Sequence, residues 1–142
     1  MYDITLHESL FPAQADAVLR DITVGDLLRE IAETHSEAIA LVDIDDTGIE
    51  RQAWTYAELF DASRRLALAL ATRFTPGQRV VVWAPNIPEW IFMEYACGMA
   101  GLVLVTANPS FKVNEIRYVL EQSRAVALFT VDEYRGNPMA KI

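Results

Sequence analysis

Arg79-Val80-Val81-Val82-Trp83-Ala84, running into Pro85-Asn86-Ile87-Pro88, is the stretch that decides the fold. An unbroken β-branched and aromatic run describes a strand buried on both faces, as parallel sheets require. Pro85 and Asn86 break it, and Pro88 stands where the first turn of a helix tolerates proline. A helix is expected from Pro88 to about Met99, ended by Gly101, with Leu102 to Thr106 as a second buried strand. After the Asn108-Pro109 break, Val113, Ile116, Tyr118, Val119 and Leu120 describe a helix. Ala125 to Val131 reads as a third buried strand, and Asp132 to Pro138 as a loop.

Upstream, Thr23 offers a helix N-cap with Asp26 three residues on, and Val24, Leu27, Leu28 and Ile31 continue the period to about Thr34. Ala38 to Ile44 and Ile49 to Trp54 flank Asp45-Asp46-Thr47-Gly48, which is the pattern of a hairpin. Thr55 and Glu58 form a capping box for a long helix from about Tyr56 to Arg73, stopped by Thr75-Pro76-Gly77. Residues 1–22, of mixed composition and interrupted by Pro12, read as an arm; residues 23–142 read as a partial α/β subdomain. Strands alternating with helices of about ten to fifteen residues give an α/β fold with a mostly parallel open sheet and right-handed crossovers. A chain that stops just past a central-looking strand is expected to lack later strands.

The 142 residues are 52% hydrophobic and 23% charged, which suits a packed domain. Twelve Lys and Arg against twenty Asp and Glu give a net charge of −8, which disfavours nucleic acid. Arg64-Arg65, the one adjacent cationic pair, reads as a solvated helix face. The single cysteine, Cys97, lies in an apolar stretch and reads as a buried, inert thiol. No signal peptide opens the chain, and the longest apolar run, Met99 to Ala107, is too short for a transmembrane segment. A cytoplasmic location is the expectation.

Local chemistry is sparse. The six glycines, at 25, 48, 77, 98, 101 and 136, form neither a P-loop nor a dinucleotide fingerprint. Gly98 and Gly101 are expected to serve close packing near a helix end. His7 and His35 have no partner at metal-ligand spacing, and Asp43, Asp45 and Asp46 lack the ordered ligands of a calcium loop. No nucleophile carries a visible triad. Glu89 and Glu94, five apart on one helix, do not share a face. Trp83, Trp90, Phe92 and Tyr95 are expected to cluster, as core or as one wall of an apolar acyl pocket or oligomer contact.

Several segments, in order, resemble the front of the acyl-CoA synthetases and their relatives, the luciferases, aryl-CoA ligases and peptide-synthetase adenylation domains. Trp54-Thr55-Tyr56-Ala57-Glu58-Leu59 is similar to the W-T-Y-x-E-L helix opening of that superfamily. Gly77-Gln78-Arg79-Val80, through Pro85-Asn86 to Pro88-Glu89-Trp90, is similar to its G-D-R-V strand and P-N-x-P-E-W helix entry. Gly101, Val105 and Asn108-Pro109, then Glu115-Ile116, Tyr118 and Leu120, resemble the next strand, loop and helix. The combination resembles most the fatty- or medium-chain acid–CoA ligases.

The resemblance implies the incomplete first part of a large N-terminal domain. It implies a parent reaction in which ATP and a carboxylate form an acyl-adenylate, and CoA then displaces AMP, with Mg²⁺ balancing phosphate charge. The family's glycine-rich phosphate loop with its lysine, its downstream acidic motif and its C-terminal lysine have no match here; Lys112 and Lys141 are the only lysines. Residues 1–142 alone are therefore expected to hold no cofactor and to be inactive. By the same resemblance, Thr106, Ala107 and Asn108 would lie near the pantetheine channel, and Arg135 would meet the CoA nucleotide. The rest of the parent polypeptide is the expected partner. Unpaired strand edges make homo-oligomers a further expectation. A stand-alone interaction module of this fold and an unrelated small-ligand binder remain open alternatives.

Overall fold

A computed structural model describes residues 18–141. Of the expected arm over residues 1–22, only 18–22 are described, and they carry neither helix nor strand. Helix α1 (Val24–Thr34) opens where its cap predicts: the Thr23 hydroxyl accepts the Asp26 amide at 3.1 Å. Strands β1 (Ile39–Ile44) and β2 (Glu50–Thr55) pair antiparallel as a hairpin. The capping box that opens α2 (Tyr56–Ala71) is complete. Glu58 N–H donates to Thr55 Oγ1 at 3.2 Å, and Thr55 N–H donates to the Glu58 carboxylate at 2.8 Å.

Strand β3 (Arg79–Trp83) is the centre of a three-stranded parallel sheet, flanked by β4 (Val103–Ala107) and β5 (Ala127–Thr130) in the order β4-β3-β5. Right-handed crossovers fix the layers. The chain moves from β3 to β4 through α3 (Pro88–Met99), then back past β3 to β5 through α4 (Val113–Ser123). Reversing the direction of travel at constant hand puts α3 and α4 on opposite faces. Alternation along β3 follows: Val80, Val82 and Ala84 pack with Ala67 and Leu70 of α2 and Met93, Ala96 and Cys97 of α3. Val81 and Trp83 pack on the other face with Ile116 of α4 and Met139.

Several expectations are corrected. Only β3 is buried on both faces. Val103 on β4 and Leu128 on β5 are 46% and 38% exposed, because among the described residues these strands are the sheet's edges. The aromatic residues divide: Trp90 and Phe92 line one cavity, and Trp83 lies across the sheet from Trp90. Phe92 also meets Trp54 edge-on at 5.5 Å and ties the hairpin to α3. Gly101 is needed for its positive φ of 70° and because a Cβ there would meet Pro76 Cβ at 3.2 Å; around Gly98 there is open space instead. The stretch expected as a loop after β5 contains a closed turn, described below, and a short 3-10 turn (Met139–Lys141). Among the described residues no helix is long and apolar enough to cross a membrane.

Candidate functional site

The order β4-β3-β5 reverses direction at β3, and in open α/β sheets ligands bind outside the carboxyl ends of the strands at such a reversal. Three loops meet at that rim: residues 84–87 after β3, 108–112 after β4 and 131–138 after β5. An open cleft of ≈ 650 Å³ lies among them, lined by Pro85, Asn86, Pro109, Tyr134 and Arg135. The hairpin turn adds Asp46 to the same lining.

Each loop is held by a side chain from elsewhere in the sequence. Trp90 Nε1–H donates to Ala84 O at 3.0 Å, and Trp83 Nε1–H donates to Asn108 O at 2.9 Å. Asn137 Nδ2–H donates to Phe111 O at 3.1 Å. After β5 the chain folds into a turn in which the Tyr134 and Asn137 amides and carbonyls pair mutually, at 3.0 and 2.9 Å. Its two central residues, Arg135 and Gly136, both have positive φ, 49° and 75°. That is the pattern of a primed hairpin turn. The Arg135 guanidinium sits over the Tyr134 ring, 5.2 Å from its centroid.

Of the residues singled out by resemblance, only Arg135 lines the cleft. Thr106 is exposed on β4, and Ala107 is buried at its end. Asn108 spends its side chain on its own turn, where Oδ1 accepts the Ser110 amide at 2.9 Å, and its carbonyl on Trp83. The next residue, Pro109, reaches the cleft instead. Asn137 and the indole donor of Trp83 shape the rim but were not singled out for it. Trp83 read as core, and nothing near Asn137 in sequence marks its partner Phe111.

The rim is unsuited to a triphosphate. Arg135 is its single cationic side chain, and the acidic Asp46 shares the lining. Lys112 stands at the start of α4, and Lys141 in the terminal 3-10 turn. Among the described residues no three His, Cys, Asp or Glu side chains are placed to share a metal ion. One guanidinium, with no lysine in the lining, leaves most of a triphosphate's charge unmatched there. One guanidinium beside an aromatic ring does fit a single phosphate or phosphate ester.

Other candidates resolve into structure. Cys97 is 1% exposed, and burial pushes its thiol from the ordinary 9.0 to about 11, far from a reactive thiolate. Arg64 and Arg65 both pair with Asp61 on the exposed face of α2. The Asp45 carboxylate accepts from Thr47 Oγ1 at 2.6 Å, Thr47 N at 2.8 Å and Ile49 N at 2.9 Å. The Thr47 hydroxyl, then those two amides, hold its carboxyl below the usual range.

Residues 28–141 match the AMP-binding enzyme family. The chain belongs to that family. Among curated relatives, it is 36% identical over 115 residues to a putative acyl-CoA synthetase, YngI, of Bacillus subtilis, covering 80% of this chain and 20% of that protein. It is 30% identical over 133 residues to the mitochondrial medium-chain acyl-CoA ligase ACSF2 of Danio rerio, covering 93% of this chain and 21% of that one. The chain thus spans about a fifth of the length of these relatives. Among solved structures, the N-terminal subdomain of Klebsiella oxytoca NpsA superposes with a TM-score of 0.69 at 25% identity, over 82% of this chain and 29% of that one. Mycobacterium smegmatis MbtA gives 0.68 at 34% identity, over 77% and 20%. The α/β architecture is therefore that of the N-terminal subdomain of adenylate-forming enzymes.

Proposed function

We propose that these residues form the front α/β portion of an ATP-dependent acid–CoA ligase acting on fatty or medium-chain carboxylic acids in the cytoplasm. In that reading residues 1–22 are an arm, and residues 23–142 are part of the large N-terminal subdomain. The parent polypeptide joins a carboxylate to AMP with loss of pyrophosphate, then transfers the acyl group to the CoA thiol. The observation that carries the reading is the likeness to acyl-CoA synthetases along most of the chain.

ATP and Mg²⁺ are held by other parts of the parent, because two lysines outside any glycine-rich loop cannot neutralise a triphosphate. The role proposed for this chain's own rim is on the CoA path, with Arg135 against a nucleotide phosphate and Thr106 to Asn108 backing the channel. A pyrophosphate-release assay with ATP and a panel of fatty acids tests the division of labour. The 142-residue chain is expected to give none above a protein-free blank, and turnover by it would overturn the reading.

A second reading is favoured by the outer edges of β4 and β5, which pair with no strand among the described residues. Such edges are templates for another chain, so the isolated polypeptide would act as a self-associating module. Sedimentation separates the two: a concentration-independent monomer removes the second reading.

A further inference from the structure

Among the described residues two polar side chains are buried, Ser63 and Asn137, and only Asn137, at 4% exposure, reaches a partner. That partner is the Phe111 carbonyl, 26 residues away in the loop after β4. The turn itself does not ask for asparagine at this position. Its positive-φ sites are Arg135 and Gly136, and Asn137 is not among the positive-φ residues. The amide side chain, rather than turn propensity, is what the position uses.

Arg135 presents the complementary anomaly. The first central position of a primed turn favours Asn, Asp or Gly, yet a long cation occupies it at φ 49°. A residue held against its backbone preference at a cleft points to a use for its side chain. The turn that holds it is closed by Asn137's own backbone and anchored by Asn137's amide. The loop it anchors to is itself fixed at Asn108 by Trp83.

We propose that Asn137 is the positioning residue of the rim cleft: its side-chain amide ties the turn bearing Arg135 to the loop after β4. It thereby sets where the guanidinium meets a ligand phosphate. Naming that ligand as the phosphate of a CoA nucleotide rests on the function proposed above; the tie itself does not. Charged groups on the segments meeting there are Asp132, Glu133, Arg135 and Lys141 on its own stretch, with Lys112 and Glu115 at the start of α4.

The test is amide hydrogen exchange on the ¹⁵N-labelled 142-residue chain and its Asn137→Ala and Asn137→Asp variants, each compared with the unmodified chain at the same pH. At pH 7 the amides of positions 134 and 137 are expected to exchange about tenfold faster in both variants, while α1 and α2 amides are unchanged. Below the ordinary aspartate value of about 3.9, at about pH 3, the neutral carboxyl of Asn137→Asp can donate to Phe111 O, and protection returns. In Asn137→Ala it does not. Packing alone gives no such rescue, and the return is readable even if Asn137→Ala fails to fold. Unchanged exchange at both amides, or no pH dependence in Asn137→Asp, overturns the tie.

Inorganic phosphate, the group the guanidinium would meet, is then titrated into each protein while the Arg135 and Tyr134 resonances are followed. About tenfold weaker binding in Asn137→Ala is expected. Equal binding overturns the positioning role. Silence of the unmodified chain towards phosphate, with the exchange result intact, overturns the phosphate role of Arg135 and leaves the tie standing.

Discussion

Two tight turns contribute to the lining of the same cleft, Asp45–Gly48 from the hairpin and Tyr134–Asn137 after β5, and they are held in different ways. The first is held from within: one carboxylate, Asp45, takes up two backbone amides and a hydroxyl lying no more than four residues away. The second closes on its own backbone but is placed by a side-chain bond 26 residues long in sequence. A turn of the first kind survives changes elsewhere in the molecule. One of the second kind responds to them, so it can place a side chain relative to other loops.

The largest expected effect comes from the indole that fixes the receiving loop. Trp83 is 1% exposed at the heart of one core, so Trp83→Ala is expected to cost about 3–5 kcal/mol in chemical denaturation. Trp83→Phe keeps most of the burial and removes the donor to Asn108 O, at about 1–2 kcal/mol. In the phenylalanine variant the rim amides should lose protection while Thr47 and Ile49 keep theirs; equal loss at both turns would erase the contrast. Next is Asn137→Ala, expected to lower stability by about 1–3 kcal/mol because the Phe111 carbonyl loses its buried donor.

The control comes from the opposite face of the sheet. The Cys97 thiol is raised from 9.0 to about 11 in the folded chain, so between those values the unfolded chain releases its proton first. This contribution is whole below about pH 9 and is lost as pH climbs towards 11. Cys97→Ala should flatten that part of the stability profile without altering rim exchange. The smallest effect is at Asp45. Its carboxyl is depressed below 3.8, so its contribution is present above that value and lost as pH falls through the lower, folded one. Asp45→Ala should speed exchange at Thr47 and Ile49 with no measurable change in the denaturation midpoint.

The same contrast explains what could be read from the sequence. The Thr55–Glu58 capping box, the Asp45–Gly48 turn and the β-branched run of β3 announce themselves because their causes lie within a few residues. The expectation of a parallel sheet followed from them, whereas the family motifs were legible by resemblance. The edge character of β4 and β5 was not legible, since exposure depends on which strands are neighbours. Trp83 and Trp90 looked like one cluster because strand alternation and helix position had yet to send them to opposite faces. At the site, Arg135 was legible through resemblance alone. Asn108 does not line the cleft, which its neighbour Pro109 does, and Asn137 was invisible, because its partner is set by tertiary packing.

Native-state hydrogen exchange of the unmodified chain in increasing dilute urea tests the distinction most directly. If the turn at 134–137 is held by contacts remote in sequence, its opening exposes buried surface, and exchange at Tyr134 and Asn137 should accelerate steeply with urea. Thr47 and Ile49 should exchange by local opening, with rates almost independent of urea. Urea-independent exchange at both turns, or the steep dependence falling on the hairpin, would contradict the account.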